Sequence, residues 1–189
     1  MRGKRIGRLL EYNPKTNQLS VLLRGLWFAN GVGVDKDESF LFFSEMFARR
    51  IVKYHLNGLK KGTMETLVES HNMTGYPDGA DCAPAADKNS KCYAVITTVV
   101  NPIAKFINDI PHPFDRLLRN QIMALPNWVT PGNKAYGGII EVDPKSKALL
   151  YFQDPYATDI GQLAGVTVWK NKLYLGSLTN NFVGVYDLN

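Results

Sequence analysis

The chain has little with which to do metal or thiol chemistry by itself: two cysteines and three histidines in 189 residues. His55, His71 and His112 stand apart, with no cysteine or carboxylate at zinc-ligand spacing, so they read as surface or packing residues. A Gly-x-Ser-x-Gly elbow and a glycine-rich phosphate loop are both missing, which argues against serine-hydrolase and nucleotide chemistry of the usual kinds. Long apolar runs are missing too. The basic start, Met1-Arg2-Gly3-Lys4-Arg5, passes into Ile6-Gly7-Arg8-Leu9 without a stretch long enough for a signal peptide or a membrane span. Charge of one sign does not dominate. The net charge is +5 with acids spread throughout, and the cations do not interleave with aromatics along one stripe, which argues against a nucleic-acid partner.

What is present suits a globular β protein. The composition is 45% hydrophobic, enough to bury a core. Cys82 and Cys92 flank a loop and suit either a pair across a hairpin in an oxidising compartment or two buried thiols. Asn72-Met73-Thr74 is a glycosylation sequon, a weak hint of secretion.

Two kinds of hairpin alternate along the chain. One is amphipathic around a polar turn: Gly7 to Pro14 with Leu19 to Leu23, Arg50 to Val68, and Gly138 to Pro144 with Ala148 to Phe152. Asn-Pro and Asp-Pro make the first and last of these turns, and the period-two flanks suit strands with one wet face. The other kind is apolar throughout: Gly31 to Val34 with Phe40 to Ser44, Ala80 to Ala83 with Cys92 to Thr97, and Ala164 to Val168 with Leu173 to Ser177. Such strands are buried on both faces. Alternating outer and inner hairpins, stepping by about one four-stranded blade, predict an all-β propeller of about three blades. A β-sandwich also spaces strands regularly but does not account for the alternation. Three blades leave open edges, so residues 1–189 read as one partial propeller domain, either a piece of a longer chain or a piece that pairs with another.

Between about residues 99 and 136 the strand pattern lapses. Phe114, Leu117, Leu118, Ile122 and Leu125 follow helical spacing after His112-Pro113, predicting a short amphipathic helix. Its apolar face suits packing over the propeller end or, with Trp128 nearby, contact with a membrane surface. The helix is too short to span one.

The residues that could carry chemistry lie where inner strands begin. Asn30 precedes Gly31 and Asp78 precedes Gly79, each read as a turn at the entry to an inner strand. Equivalent points on successive blades converge on the axis, and an amide and a carboxylate brought there are oxygen ligands of the kind calcium takes. Glu45, after Phe42-Phe43-Ser44, suits either a pocket lining or an ion pair with Arg49 or Arg50. Asp81, Asp154 and Asp159 read as turn residues.

The stretch Phe28-Ala29-Asn30-Gly31-Val32, with Phe40 to Glu45, Arg50 to Tyr54 and Gly75-Tyr76-Pro77-Asp78-Gly79, resembles the strictosidine synthase-like propellers, which include adipocyte plasma membrane-associated protein and the paraoxonase-related enzymes. The resemblance covers nearly the whole chain, as the C-terminal half of a six-bladed propeller. It implies Asn30 and Asp78 as Ca²⁺ ligands and a calcium-dependent, arylesterase- or lactonase-like hydrolase of small esters or lactones. It also implies an endomembrane or secretory location with membrane association. Gly79 stands where paraoxonases have an asparagine. Val168 stands where strictosidine synthase has its glutamate, and valine transfers no proton, so amine–aldehyde condensation is disfavoured. The rival from another class is a catalytically silent propeller that binds a partner or a membrane.

Overall fold

A computed structural model describes residues 5–84, 91–100, 121 and 136–188. The helix expected over Phe114 to Leu125, Trp128 and His112 lie outside the described residues, apart from the single position Gln121. The described chain is all-β apart from a short 3-10 turn at Ser70–Asn72 and the helical position Gln121. Strands β1 (Gly7–Asn13) and β2 (Gln18–Leu26) form a two-stranded sheet. A four-stranded antiparallel meander follows: β3 (Ala29–Val34), β4 (Phe40–Glu45), β5 (Arg50–His55) and β6 (Met64–Val68). A second contains β7 (Gly75–Cys82), β8 (Cys92–Val99), β9 (Gly137–Val142) and β10 (Leu149–Asp154). The last sheet has β11 (Leu163–Trp169), β12 (Lys172–Ser177) and β13 (Gly184–Asp187). These are consecutive blades of a partial β-propeller, and the alternation of hairpins is its meander read in pairs: β3–β4, β7–β8 and β11–β12 inside, β1–β2, β5–β6 and β9–β10 outside.

The core consists of three seams between sheets. Along a strand successive side chains point to opposite faces, so neighbouring residues serve different seams. Phe43 and Val52 pack with Leu9, Leu26 and Tyr54 towards the β1–β2 sheet, while Phe42 and Ile51 pack with Ala94, Ile96 and Ile140 of the next blade. Val95 and Ile139 turn the other way, to meet Val166, Val168, Leu173 and Leu175. Phe42, Ile51, Val52, Val95, Ile96 and Ile140 are all 0% exposed. One expectation is corrected here. The third strands β5 and β9 do not have a wet face; Ile51-Val52 and Ile139-Ile140 serve two seams at once, and in these two blades the fourth strands β6 and β10 carry the exposed positions of the outer hairpins.

Two local devices set the registers near the axis. Cys82 and Cys92 are register partners and are joined by a disulfide, so the pairing alternative holds. The bond closes the β7–β8 loop and pins the pairing that carries Thr97. At the far end of the second blade the Asp154 carboxylate accepts from the backbone amides of Thr158, Asp159 and Ile160 at 2.9, 2.7 and 3.1 Å. These bonds fold the β10–β11 connection so that Leu163 enters β11.

The arc is apolar at both ends. Val32 is 51% and Val34 47% exposed on β3, and Trp169 and Val185 are 50% and 57% exposed on β11 and β13.

Reducing the disulfide releases a short loop from its cross-link and is expected to cost about 2–4 kcal/mol. Thermal unfolding with and without dithiothreitol measures this; an unchanged midpoint would mean that the β7–β8 register is held without the bond. Hydrogen bonds from the Thr158 and Asp159 amides hold the Asp154 carboxyl below its ordinary value. A depressed folded-state value gives stability that is fully present above the ordinary aspartate pKa, about 3.9. That stability is lost as pH falls through the folded value. The Asp154→Asn variant is therefore expected to melt below the wild type at neutral pH, with the gap narrowing in acid. A gap independent of pH would contradict this.

Candidate functional site

Each inner strand is bulged at the same step. Pairing moves from Ala29↔Glu45 to Val32↔Phe43 in the first full blade, from Pro77↔Ile96 to Ala80↔Ala94 in the second, and from Leu163↔Ser177 to Gly165↔Gly176 in the third. In every case the inner strand carries one residue more than its partner, which is a β-bulge. The bulges contain Asn30-Gly31, Asp78-Gly79 and Ala164. Asn30 and Asp78 therefore sit inside β3 and β7, not at turns before them. The reason lies in the glycines, neither of which has a positive φ. They clear space between blades: a Cβ on Gly31 would lie 2.1 Å from Ala80 N, and one on Gly79 would lie 2.5 Å from Ala164 O.

A hydroxyl from the second strand of each four-stranded blade closes the gap to the next blade. Ser44 Oγ on β4 accepts from Gly31 N at 3.0 Å, an amide that the bulge leaves out of the ladder, and donates to Asp78 O. Thr97 Oγ1 on β8 lies 2.7 Å from Leu163 O and 2.8 Å from Asp78 Oδ2. Ser177 at the end of β12 instead bonds to Gly161 O, in the connection that precedes its own blade, at 2.5 Å. Sequence reading missed these three residues. Their signal was available, since a hydroxyl ends the apolar run of each inner hairpin.

Asp78 is half-buried and Asn30 is exposed beside it. Burial pushes the Asp78 carboxyl above its ordinary value, and side-chain hydrogen bonds from Thr97 and from Asn30 oppose this. The Thr97 hydroxyl has one hydrogen and faces two acceptors, the Asp78 carboxylate and Leu163 O. The two predicted ligands thus come together on adjacent inner strands, with the third blade offering Ala164 at the matching bulge. No group of three or more His, Cys, Asp or Glu residues able to hold a metal occurs among the described residues.

The other candidates fall elsewhere. Glu45 is fully buried, accepts from Trp27 N at 2.5 Å and pairs with Arg50 at 2.7 Å, so the ion-pair alternative describes it. Val168 is 3% exposed in the seam between the second and third blades, and its N donates to Asp81 Oδ2 at 2.9 Å. Asp81 is consequently a tie between β7 and β11 rather than a turn residue; Asp159 lies in the β10–β11 connection, and Asp154, the last residue of β10, holds that connection. His55 lies 3.5 Å from Glu65, and His71 is in the 3-10 turn.

Comparison with known proteins agrees with the architecture. Residues 1–59 match the strictosidine synthase family model. Strictosidine synthase-like 6 of Arabidopsis thaliana is 31% identical over 188 residues, covering 100% of this chain and 46% of its own length. Adipocyte plasma membrane-associated protein of Salmo salar is 27% identical over 188 residues, covering 97% of this chain and 43% of its own length. The chain thus spans about half the length of these relatives. Among solved structures, a putative gluconolactonase superposes with TM-score 0.60 at 16% identity, covering 96% of this chain and 52% of that one. Regucalcin of Agrobacterium tumefaciens, described as a calcium-binding protein, gives 0.56 at 11% identity, with 94% and 48% covered. At these identities the structures speak for the fold alone.

Substituting Gly79 by alanine puts a methyl against Ala164 O and is expected to cost about 1–3 kcal/mol through overpacking. Urea unfolding measures it. A neutral result would mean that the inner strands can separate at no cost.

Proposed function

We propose, from the premise that this chain is strictosidine synthase-like, that it forms part of a calcium-dependent hydrolase of small esters or lactones with an arylesterase- or lactonase-like preference. The observation that carries this reading is the meeting of Asn30 and Asp78 at matching bulges of neighbouring inner strands. The pair fits a hard cation in kind, with a neutral amide oxygen and one carboxylate. Calcium takes six to eight oxygens, so the remainder must come from water, substrate or other blades. When bound, the ion would polarise a substrate carbonyl and stabilise the oxyanion that develops on it.

The chain's own residues prepare this place. Gly31 and Gly79 let the inner strands approach. Ser44 and Thr97 fix the Asp78 backbone and carboxylate. Asp78, strained by burial when ionised and alone, gains from a neighbouring positive charge. No general acid or base stands beside the pair on the described strands. A second reading, a silent propeller that binds a partner, is favoured by Ala164 at the third bulge and by Gly79, where no side chain fits. Strictosidine-type condensation has no acid at Val168.

In this reading further blades, from a longer chain or a second one, cover the apolar ends at Val32, Val34, Trp169 and Val185. The disulfide suits a secretory or endomembrane location. Membrane contact through Phe114, Leu117, Leu118, Ile122 and Leu125 would be peripheral; no helix among the described residues is long and apolar enough to cross a membrane.

Calcium titration by calorimetry and phenyl acetate hydrolysis on the same samples test the proposal. Asp78→Ala and Asn30→Ala are each expected to weaken calcium binding at least about tenfold, an amount worth about 1.4 kcal/mol, and to abolish turnover. Calcium binding without turnover would favour the silent module. A folded chain that binds no calcium would sink the site.

A further inference from the structure

Away from the axial pair, at the same end of the blades, is a cleft of about 270 Å³. The β2–β3 connection supplies Trp27, the β4–β5 turn supplies Phe47 and Arg49, and Arg50 follows at the start of β5. Ser70 and Glu69 come from the segment after β6, and Arg5 closes the rim. These connections lead directly into the inner strands: Trp27 and Phe28 precede Asn30, and Glu69 and Ser70 precede the strand of Asp78. The cleft therefore opens on the face that carries the axial pair. Phe47 packs between Trp27, Phe28 and Tyr76, with ring centroids 6.3, 5.0 and 6.5 Å away, giving the two places one aromatic wall.

Its electrostatics are unbalanced towards cations. Arg50 is neutralised by Glu45 at 2.7 Å. Arg49 and Arg5 have no ion pair among the described residues; Arg5 instead stacks over Trp27 at 5.3 Å. Against these stands Glu69, so three arginines and two carboxylates, Glu45 included, leave one net positive charge. Trp27 lines the cleft, while its Nε1 is itself buried away from the solvent that fills it. The Trp27 backbone is held by Glu45 at its N and by Phe47 N at its O.

We infer that this cleft binds a small organic carboxylate, its oxygens taken by Arg49 and Arg5 and its apolar body lying against Trp27 and Phe47. Planar guanidinium groups suit a carboxylate, and the aromatic wall suits a carbon skeleton more than a bare inorganic anion. The inference stands on the cleft alone and does not require hydrolysis at the axis.

The test is a titration of the full chain with sodium benzoate, and separately with inorganic phosphate, at constant ionic strength. The readout is the Trp27 indole N–H resonance, assigned with Trp27→Phe. Benzoate is expected to move it saturably, with phosphate binding at least about fivefold more weakly. Arg49→Gln and Arg5→Gln are each expected to weaken benzoate binding about tenfold, as loss of a charged hydrogen bond implies. Both positions are at the surface, where the changes leave the fold intact, and retained peak dispersion checks that. An indole resonance that does not respond, equal binding of the two probes, or benzoate binding that survives both arginine changes would overturn the inference.

Discussion

The inner strands of neighbouring blades approach backbone to backbone. Where β3 meets β7 and β7 meets β11, a single Cβ at Gly31 or Gly79 would collide with the neighbouring main chain. Everything at the axis depends on that contact. Each bulge adds one residue to an inner strand; in the first two it carries Asn30 and Asp78, and the glycine after each gives up its side chain so that the next blade can close in. The liberated Gly31 amide finds Ser44, whose proton then goes to the carbonyl of Asp78 on the following strand. Thr97 repeats the link to Leu163 one blade later. The blades are thus joined twice, by apolar seams along their length and by hydroxyl clasps at the end where the inner strands begin.

This construction explains why the candidate site has a carboxylate under tension. Asp78 is half-buried, held by a threonine with a single proton to share and an exposed amide alongside. A half-buried carboxylate in that position gains from a neighbouring positive charge. The lack of a side chain at Gly79 follows from the packing: the room is occupied by Ala164 O.

The inner and outer hairpins were legible because burial on both faces and burial on one leave different periodicities in the chain. Asn30 and Asp78 were legible through repetition, each followed by glycine at the start of an inner hairpin. Their local structure was not. Asn-Gly and Asp-Gly have the composition of turns, and only pairing with a second strand turns them into bulges. Glu45 carried two readings until Arg50 and the Trp27 amide closed around it. The arginine cleft left no pattern at all, since it assembles Arg5, Trp27, Arg49 and Ser70 from four separate segments.

By itself the sequence determined which residues alternate, where strands break and which polar residues recur with blade period, because these are properties of neighbours along one chain. Tertiary structure alone decided what touches across blades: the glycine clearance, the Ser44 and Thr97 clasps, the tie from Asp81 to Val168, and the cationic cleft. Those contacts join residues 13 to 87 positions apart, and no local periodicity encodes a distance that arises only when separate sheets pack.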